Sequence, residues 1–129
     1  MVKQNNDICT ELLAVHAPEQ ELKVRKSIST SEKGLRYTAT VNPEREPVVF
    51  QVDGCIMCDG DKCDKLVLSK NPADTKMWIG HFVELKHSDV EHAIDQLEAT
   101  IRHTVFKHPS LTRKYARIVA TRFPANNGN

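Results

Sequence analysis

Asp64, Glu84 and Lys86 are the residues of this 129-residue chain whose types and spacing could do chemistry. Glu84 and Lys86 belong to the run Phe82-Val83-Glu84-Leu85-Lys86, which reads as a short buried strand rich in apolar residues. Side chains alternate across a strand, so Glu84 and Lys86 share one face while Val83 and Leu85 take the other. Ionised groups are costly inside such a segment unless they are paired or bound to a metal. Asp64 opens a second apolar run, Cys63-Asp64-Lys65-Leu66-Val67-Leu68, with nineteen residues between it and Glu84. That spacing holds a strand, a turn and a return, and can bring both acids to neighbouring strand ends. Two carboxylates and an ammonium converging on one point are what a divalent cation and an activated water require.

The elements that must position these groups follow from the surrounding pattern. Asp7 to His16 reads as a short helix ended before Pro18. Residues 22 to 41 read as a hairpin, with Leu22, Val24 and Ile28 in one arm and Leu35, Tyr37, Ala39 and Val41 in the other. Ser31-Glu32-Lys33-Gly34 supplies turn chemistry between the arms. A proline-bounded loop, Asn42 to Pro47, leads to a strand over Val48 to Val52 that ends at Asp53-Gly54. Asp53 is either an acid of that turn or a site acid near Asp64. A tight turn over Asp59-Gly60-Asp61 precedes the Asp64 strand, and Asn71-Pro72-Ala73-Asp74 turns it towards Met77-Trp78-Ile79 and the Glu84 strand.

Ser88-Asp89-Val90-Glu91 has the form of a capping box with Ser88 as the cap, opening a helix from about Ser88 to Lys107. Val90, Ala93, Ile94, Leu97, Ile101, Thr104 and Val105 recur at helical spacing and predict one buried stripe. Acids fill the first turns while Arg102, His103 and Lys107 fill the last, as the helix dipole favours, and Pro109 stops the helix. Tyr115 to Thr121 reads as a further strand, and Pro124 to Asn129 as a disordered tail. The whole predicts an α/β (α+β) fold, residues 1–129 as one domain with a mixed central β-sheet flanked by helices and an N-terminal β-hairpin extension. Hydrophobic residues make up 40% of the chain, enough for a core at this length.

These residues resemble the PD-(D/E)xK nuclease superfamily, with Asp64 in the place of the D and Glu84-Leu85-Lys86 in the place of the ExK. The resemblance covers roughly residues 48 to 123 and includes the order of strand, strand with ExK, capped helix and strand. No proline precedes Asp64, a departure that is common in the family. The resemblance implies a restriction-endonuclease-like core and a Mg²⁺- or Mn²⁺-dependent nuclease, an endonuclease acting on DNA in preference to RNA. Asp64, Glu84 and the Leu85 carbonyl would hold the metal, and Lys86 would lie beside the attacking water. Some members carry a glutamine on the helix after ExK that reaches the active site, which makes Gln96 a candidate; otherwise it is a solvated helix residue. Some also carry an acid on the first helix, for which Glu11, Glu19 and Glu21 are all open. Small nucleases of this kind are commonly homodimers.

Charge adds to the case for a polyanion. After Glu98 there are six basic residues and no acid, whereas the first 98 residues carry 12 basic against 17 acidic side chains. Arg102, Lys107, Arg113, Lys114 and Arg117 are therefore the expected nucleic-acid contacts, or else a solvated basic surface. Two other classes compete: a non-catalytic nucleic-acid-binding module whose acids and lysine form a structural ion-pair cluster, and a zinc-stabilised interaction domain. For the latter, Cys55 and Cys58 have C-x-x-C spacing with Cys63 nearby, but the fourth ligand is lacking and would have to come from Cys9, His81 or His87. No histidine pair has the H-E-x-x-H spacing of a zinc hydrolase. The sequence has no membrane span and no apolar block of a signal-peptide kind near Met1, so a cytoplasmic location is expected.

Overall fold

The structure is a computed structural model and describes residues 6–42 and 45–122. The expected tail of residues 124–129 lies outside the described residues. The chain is α+β: two helices, a mixed four-stranded sheet and a two-stranded antiparallel hairpin. Helix α1 (Ile8–Val15) is capped by Asp7, whose carboxylate accepts the Thr10 N–H at 2.7 Å. Strands β1 (Ser27–Glu32) and β2 (Leu35–Thr40) form the hairpin. Strands β3 (Val48–Gln51), β4 (Lys65–Asn71) and β5 (Asp74–Leu85) form an antiparallel meander. Helix α2 (Val90–Ile101) then carries the chain over to β6 (Leu111–Val119), which pairs in parallel with β5. A parallel neighbour cannot be reached by a tight turn, which is why this one connection needs a helix.

Alternation along the central strands assigns the layers. Leu66 and Leu68 of β4 join Val48, Phe50, Phe82, the α1 residues Ile8, Cys9 and Leu12, and Leu97 of α2 in one core. Val67 joins Val49, Val83, Leu85, Ile28 and Leu35 in a second core beneath the hairpin. Helices cover one face of the sheet and the hairpin covers the other. A strand buried on both faces has no polar side, hence the near-continuous apolar runs in the sequence. No helix among the described residues is long and apolar enough to cross a membrane.

Several expected boundaries and contacts differ. The cap of α2 is Asp89, not Ser88: its carboxylate accepts the His92 N–H at 3.0 Å, and a charged acceptor is the stronger cap. The helix stops at Ile101, and Thr104–Phe106 is a separate 3₁₀ turn. His103 breaks the path with an extended backbone, its ring nitrogen accepting the Val105 N–H at 3.2 Å. The buried face of α2 is Ala93, Leu97 and Thr100, while Ile94 is 44% exposed. Met77-Trp78-Ile79 and the Glu84 segment are one strand, and β6 begins at Leu111, which places Arg113 and Lys114 inside it. The hairpin turn is only Lys33-Gly34, and Val24 lies outside the arms and is exposed.

Candidate functional site

Asp64 immediately precedes β4, and its backbone is pinned on both sides. Its N–H donates to the Val83 carbonyl at 3.1 Å and its carbonyl accepts the Val52 N–H at 2.9 Å. The carboxylate then turns to the neighbouring strand, where Oδ2 accepts the Leu85 N–H at 2.9 Å. Glu84 sits on β5 on the helix-facing side, two residues beyond Phe82. Both acids are buried, Asp64 at 1% exposure and Glu84 at 0%. The expected convergence is therefore met: the acids lie at adjacent strand ends and are bridged by one cation.

That cation is Lys33, which belongs to the hairpin turn. Its Nζ donates to Asp64 Oδ1 at 3.1 Å, to Asp64 Oδ2 at 3.0 Å and to the Leu85 carbonyl at 3.0 Å. Glu84 Oε2 lies 3.4 Å away. Three layers of the fold meet here, with the tip of the hairpin reaching round the end of the sheet. The turn is tied down by His87, whose Nε2 lies 2.8 Å from the Lys33 carbonyl. One residue back, Glu32 pairs with Lys65 at 3.3 Å.

Burial pushes the Glu84 carboxyl above the usual carboxylate range, the Asp64 charge pushes the same way, and Lys33 and Lys86 only partly offset them. For Lys33, burial favours the neutral amine, but the bonds and charges of Asp64 and Glu84 outweigh it and raise the pKa above the ordinary lysine value. The group is an ammonium at neutral pH. Glu84 Oε1 is buried and accepts no hydrogen bond. A buried carboxylate oxygen left in this way is a costly feature in a folded chain.

Lys86 and Gln96 are brought to the same place. Lys86 Nζ lies 3.6 Å from Glu84 Oε2 and donates to Gln96 Oε1, and His92 Nδ1 is 3.2 Å away. His92 and Gln96 are four residues apart on α2, so one helix face presents both. The Gln96 amide is in turn held by the Lys62 carbonyl at 3.1 Å. Gln96 is thus a half-buried link between the helix and Lys86, not a solvated side chain.

The donors at the centre are two carboxylates and a backbone carbonyl, all hard oxygens of the kind that Mg²⁺ and Mn²⁺ take. The free Glu84 Oε1 fits a cation at this point. Among the described residues, no group of three or more His, Cys, Asp or Glu side chains gathers to hold a metal. The Cys55, Cys58 and Cys63 cluster is accordingly not assembled. Cys63 is buried, its N–H donating to Thr100 Oγ1 at 2.7 Å, while Cys58 is exposed and Cys55 lies nearest His16 at 3.6 Å. Burial, with Glu84 and Asp64 adding to it, pushes the Cys63 thiol up to about 12, so it stays protonated. Glu11 pairs with His108 and Glu19 with Lys65, and Asp53 lies at a turn 3.8 Å from Lys62.

All five expected nucleic-acid contacts are exposed. Arg102 and Lys107 lie beyond the far end of α2, and Arg113, Lys114 and Arg117 lie along β6. Arg117 Nε–H donates to His81 Nδ1 at 3.4 Å, and its guanidinium lies 5.1 Å over the Tyr115 ring. Lys33 is the participant that the sequence reading missed. Its only local signal was Lys-Gly at a tight turn, and its partners are 31 to 52 residues away. No protein-family model, curated protein or solved structure matches this chain.

Proposed function

We propose that the protein is a metal-dependent nuclease that hydrolyses nucleic-acid phosphodiester bonds. The observation that carries this reading is the convergence of the Asp64 carboxylate, the Glu84 carboxylate and the Leu85 carbonyl on a single cation-sized position. The order of helix, three antiparallel strands, helix and parallel strand supports the restriction-endonuclease-like core that the motif implies. Asp64, Glu84 and the Leu85 carbonyl would hold Mg²⁺ or Mn²⁺. When bound, the metal supplies a more acidic water and offsets charge on the scissile phosphate.

The chain's own groups do the rest. Lys86 presents its ammonium beside Glu84 Oε2, where it donates a hydrogen bond to the water or to a phosphate oxygen as negative charge develops. Gln96 and His92 fix where that ammonium stands. The Leu85 N–H and the strand bonds on both sides of Asp64 keep its carboxylate from rotating away. Preorganised groups of this kind need no rearrangement when the reaction occurs.

The test is cleavage of duplex DNA, branched DNA and RNA by protein free of contaminating nuclease, with Mg²⁺ or Mn²⁺. Glu84→Gln and Lys86→Ala should each abolish cleavage while leaving substrate affinity within about twofold, since neither supplies backbone affinity. Absence of cleavage of every substrate by the wild-type chain would remove the reading. One observation favours a second reading: the Lys33 ammonium already pairs with both acids, as in a structural ion cluster on a non-catalytic nucleic-acid-binding module. Under that reading Glu84→Gln would alter stability and no activity would exist to be lost.

A further inference from the structure

We propose that Lys33 is a tethered cation that competes with the divalent metal for the Asp64–Glu84 site, so that the site loads only when the lysine leaves. The inference rests on the metal centre of the preceding section. The ammonium touches the same three oxygen groups that would bind the metal, so the two cations cannot occupy the site together. Lysine offers three donors and one charge; Mg²⁺ accepts six oxygens and carries two charges, and can use the Glu84 Oε1 that Lys33 leaves without a partner.

The molecule contains its own comparison for a purely structural lysine. Lys65, with a side chain 5% exposed, is closed in by Glu19, Glu32 and Gln51 and forms part of the core beneath the hairpin. The Lys33 side chain is 42% exposed, so its four-carbon stem has an open route to solvent. The turn backbone can stay in place as the ammonium departs, because His87 and the Lys65–Glu32 pair hold the turn independently. Lys33 also adopts φ +56° beside Gly34 at +77°, the two-residue turn geometry that favours Asn, Asp or Gly at this position.

The experiment is Mn²⁺ titration of the full chain by calorimetry without nucleic acid, comparing wild type with Lys33→Gln and Lys33→Ala. Both variants should bind Mn²⁺ about tenfold or more tightly, within the range of ordinary coupling between two ligands. Equal affinity in all three proteins overturns the competition while leaving the metal centre standing. No Mn²⁺ binding by any of them at millimolar concentration removes the metal centre and this inference with it. A second measurement needs no variant: lysine acylation read by mass spectrometry on the wild-type chain. Mg²⁺ should raise labelling of Lys33 several-fold and leave Lys65 unchanged; Lys33 labelling that does not respond to saturating Mg²⁺ overturns the proposal.

Discussion

Glu84 is held between opposing influences, and this makes its proton a reporter of the site. Burial and Asp64 raise its pKa, so the folded chain binds that proton more tightly than the unfolded chain. Stability therefore falls as pH rises from the ordinary carboxylate value through the raised one. Lys33 acts at the other end: its raised pKa contributes stability that is fully present below the unfolded lysine value and is lost as pH rises through the folded value. A metal bound to Glu84 must displace the proton. Saturating Mg²⁺ should accordingly raise Tm more at about pH 8 than at about pH 5 in scanning calorimetry, and equal shifts would put the cation elsewhere. Gln96→Ala should lower kcat roughly 10–100-fold with little change in KM, because it misplaces Lys86 without touching substrate. That Glu84 and Lys86 share one face was legible because strand alternation is a local rule. Lys33 was not, because its role exists only after the hairpin docks on the far side of the sheet.

The two elements that frame the site are fastened by different physics. Helix α2 is packed: Leu97 is 3% exposed, and Leu97→Ala should cost about 2–5 kcal/mol in denaturant melts. Ile94, at 44% exposure, should change stability by less than about 0.5 kcal/mol as Ile94→Ala. The apolar pattern placed both in one stripe and missed Thr100. Thr100 is fully buried because its hydroxyl accepts the Cys63 N–H and donates to the Gln96 carbonyl, so a polar residue takes a place on the inner face. The hairpin, by contrast, is fastened by charge as well as by Ile28 and Leu35. Burial works against the ionised form of Glu19, but bonds from Lys65 and Thr30 outweigh it and hold its pKa below the ordinary 4.5. Its contribution is present above 4.5 and is lost as pH falls through the lowered folded value. Acidification should thus free the hairpin before the sheet, and hydrogen exchange should show β1 and β2 amides losing protection while β4 and β5 keep theirs.

Along β6, the basic pair Arg113 and Lys114 is set apart from the acid pair. The acid pair lies where Glu84 stands beside Ile118, whereas Arg113 and Lys114 stand beside Ile79 and Gly80 at the other end of β6. At about 3.3 Å per residue that is a separation of roughly 13–17 Å along the strand, too far, on the nuclease reading proposed above, for either side chain to meet a phosphate at the acid pair. Their mutation should therefore raise KM and leave kcat unchanged. The size of the binding loss follows from alternation. Arg113, like Arg117, projects on the hairpin side of β6, and Lys114 projects on the helix side. A phosphate backbone running over one face meets one of the adjacent pair, not both. As neighbours on an edge strand, Arg113 and Lys114 should together remove about one phosphate contact, not two. One of the two single variants, Arg113→Ala or Lys114→Ala, should reduce the magnitude of the slope of log K against log salt by about 0.9 on duplex DNA while the other leaves it unchanged, and the double variant should match the more affected single. Equal and additive reductions from the two single variants would mean that the duplex straddles the edge of the sheet instead of lying on one of its faces.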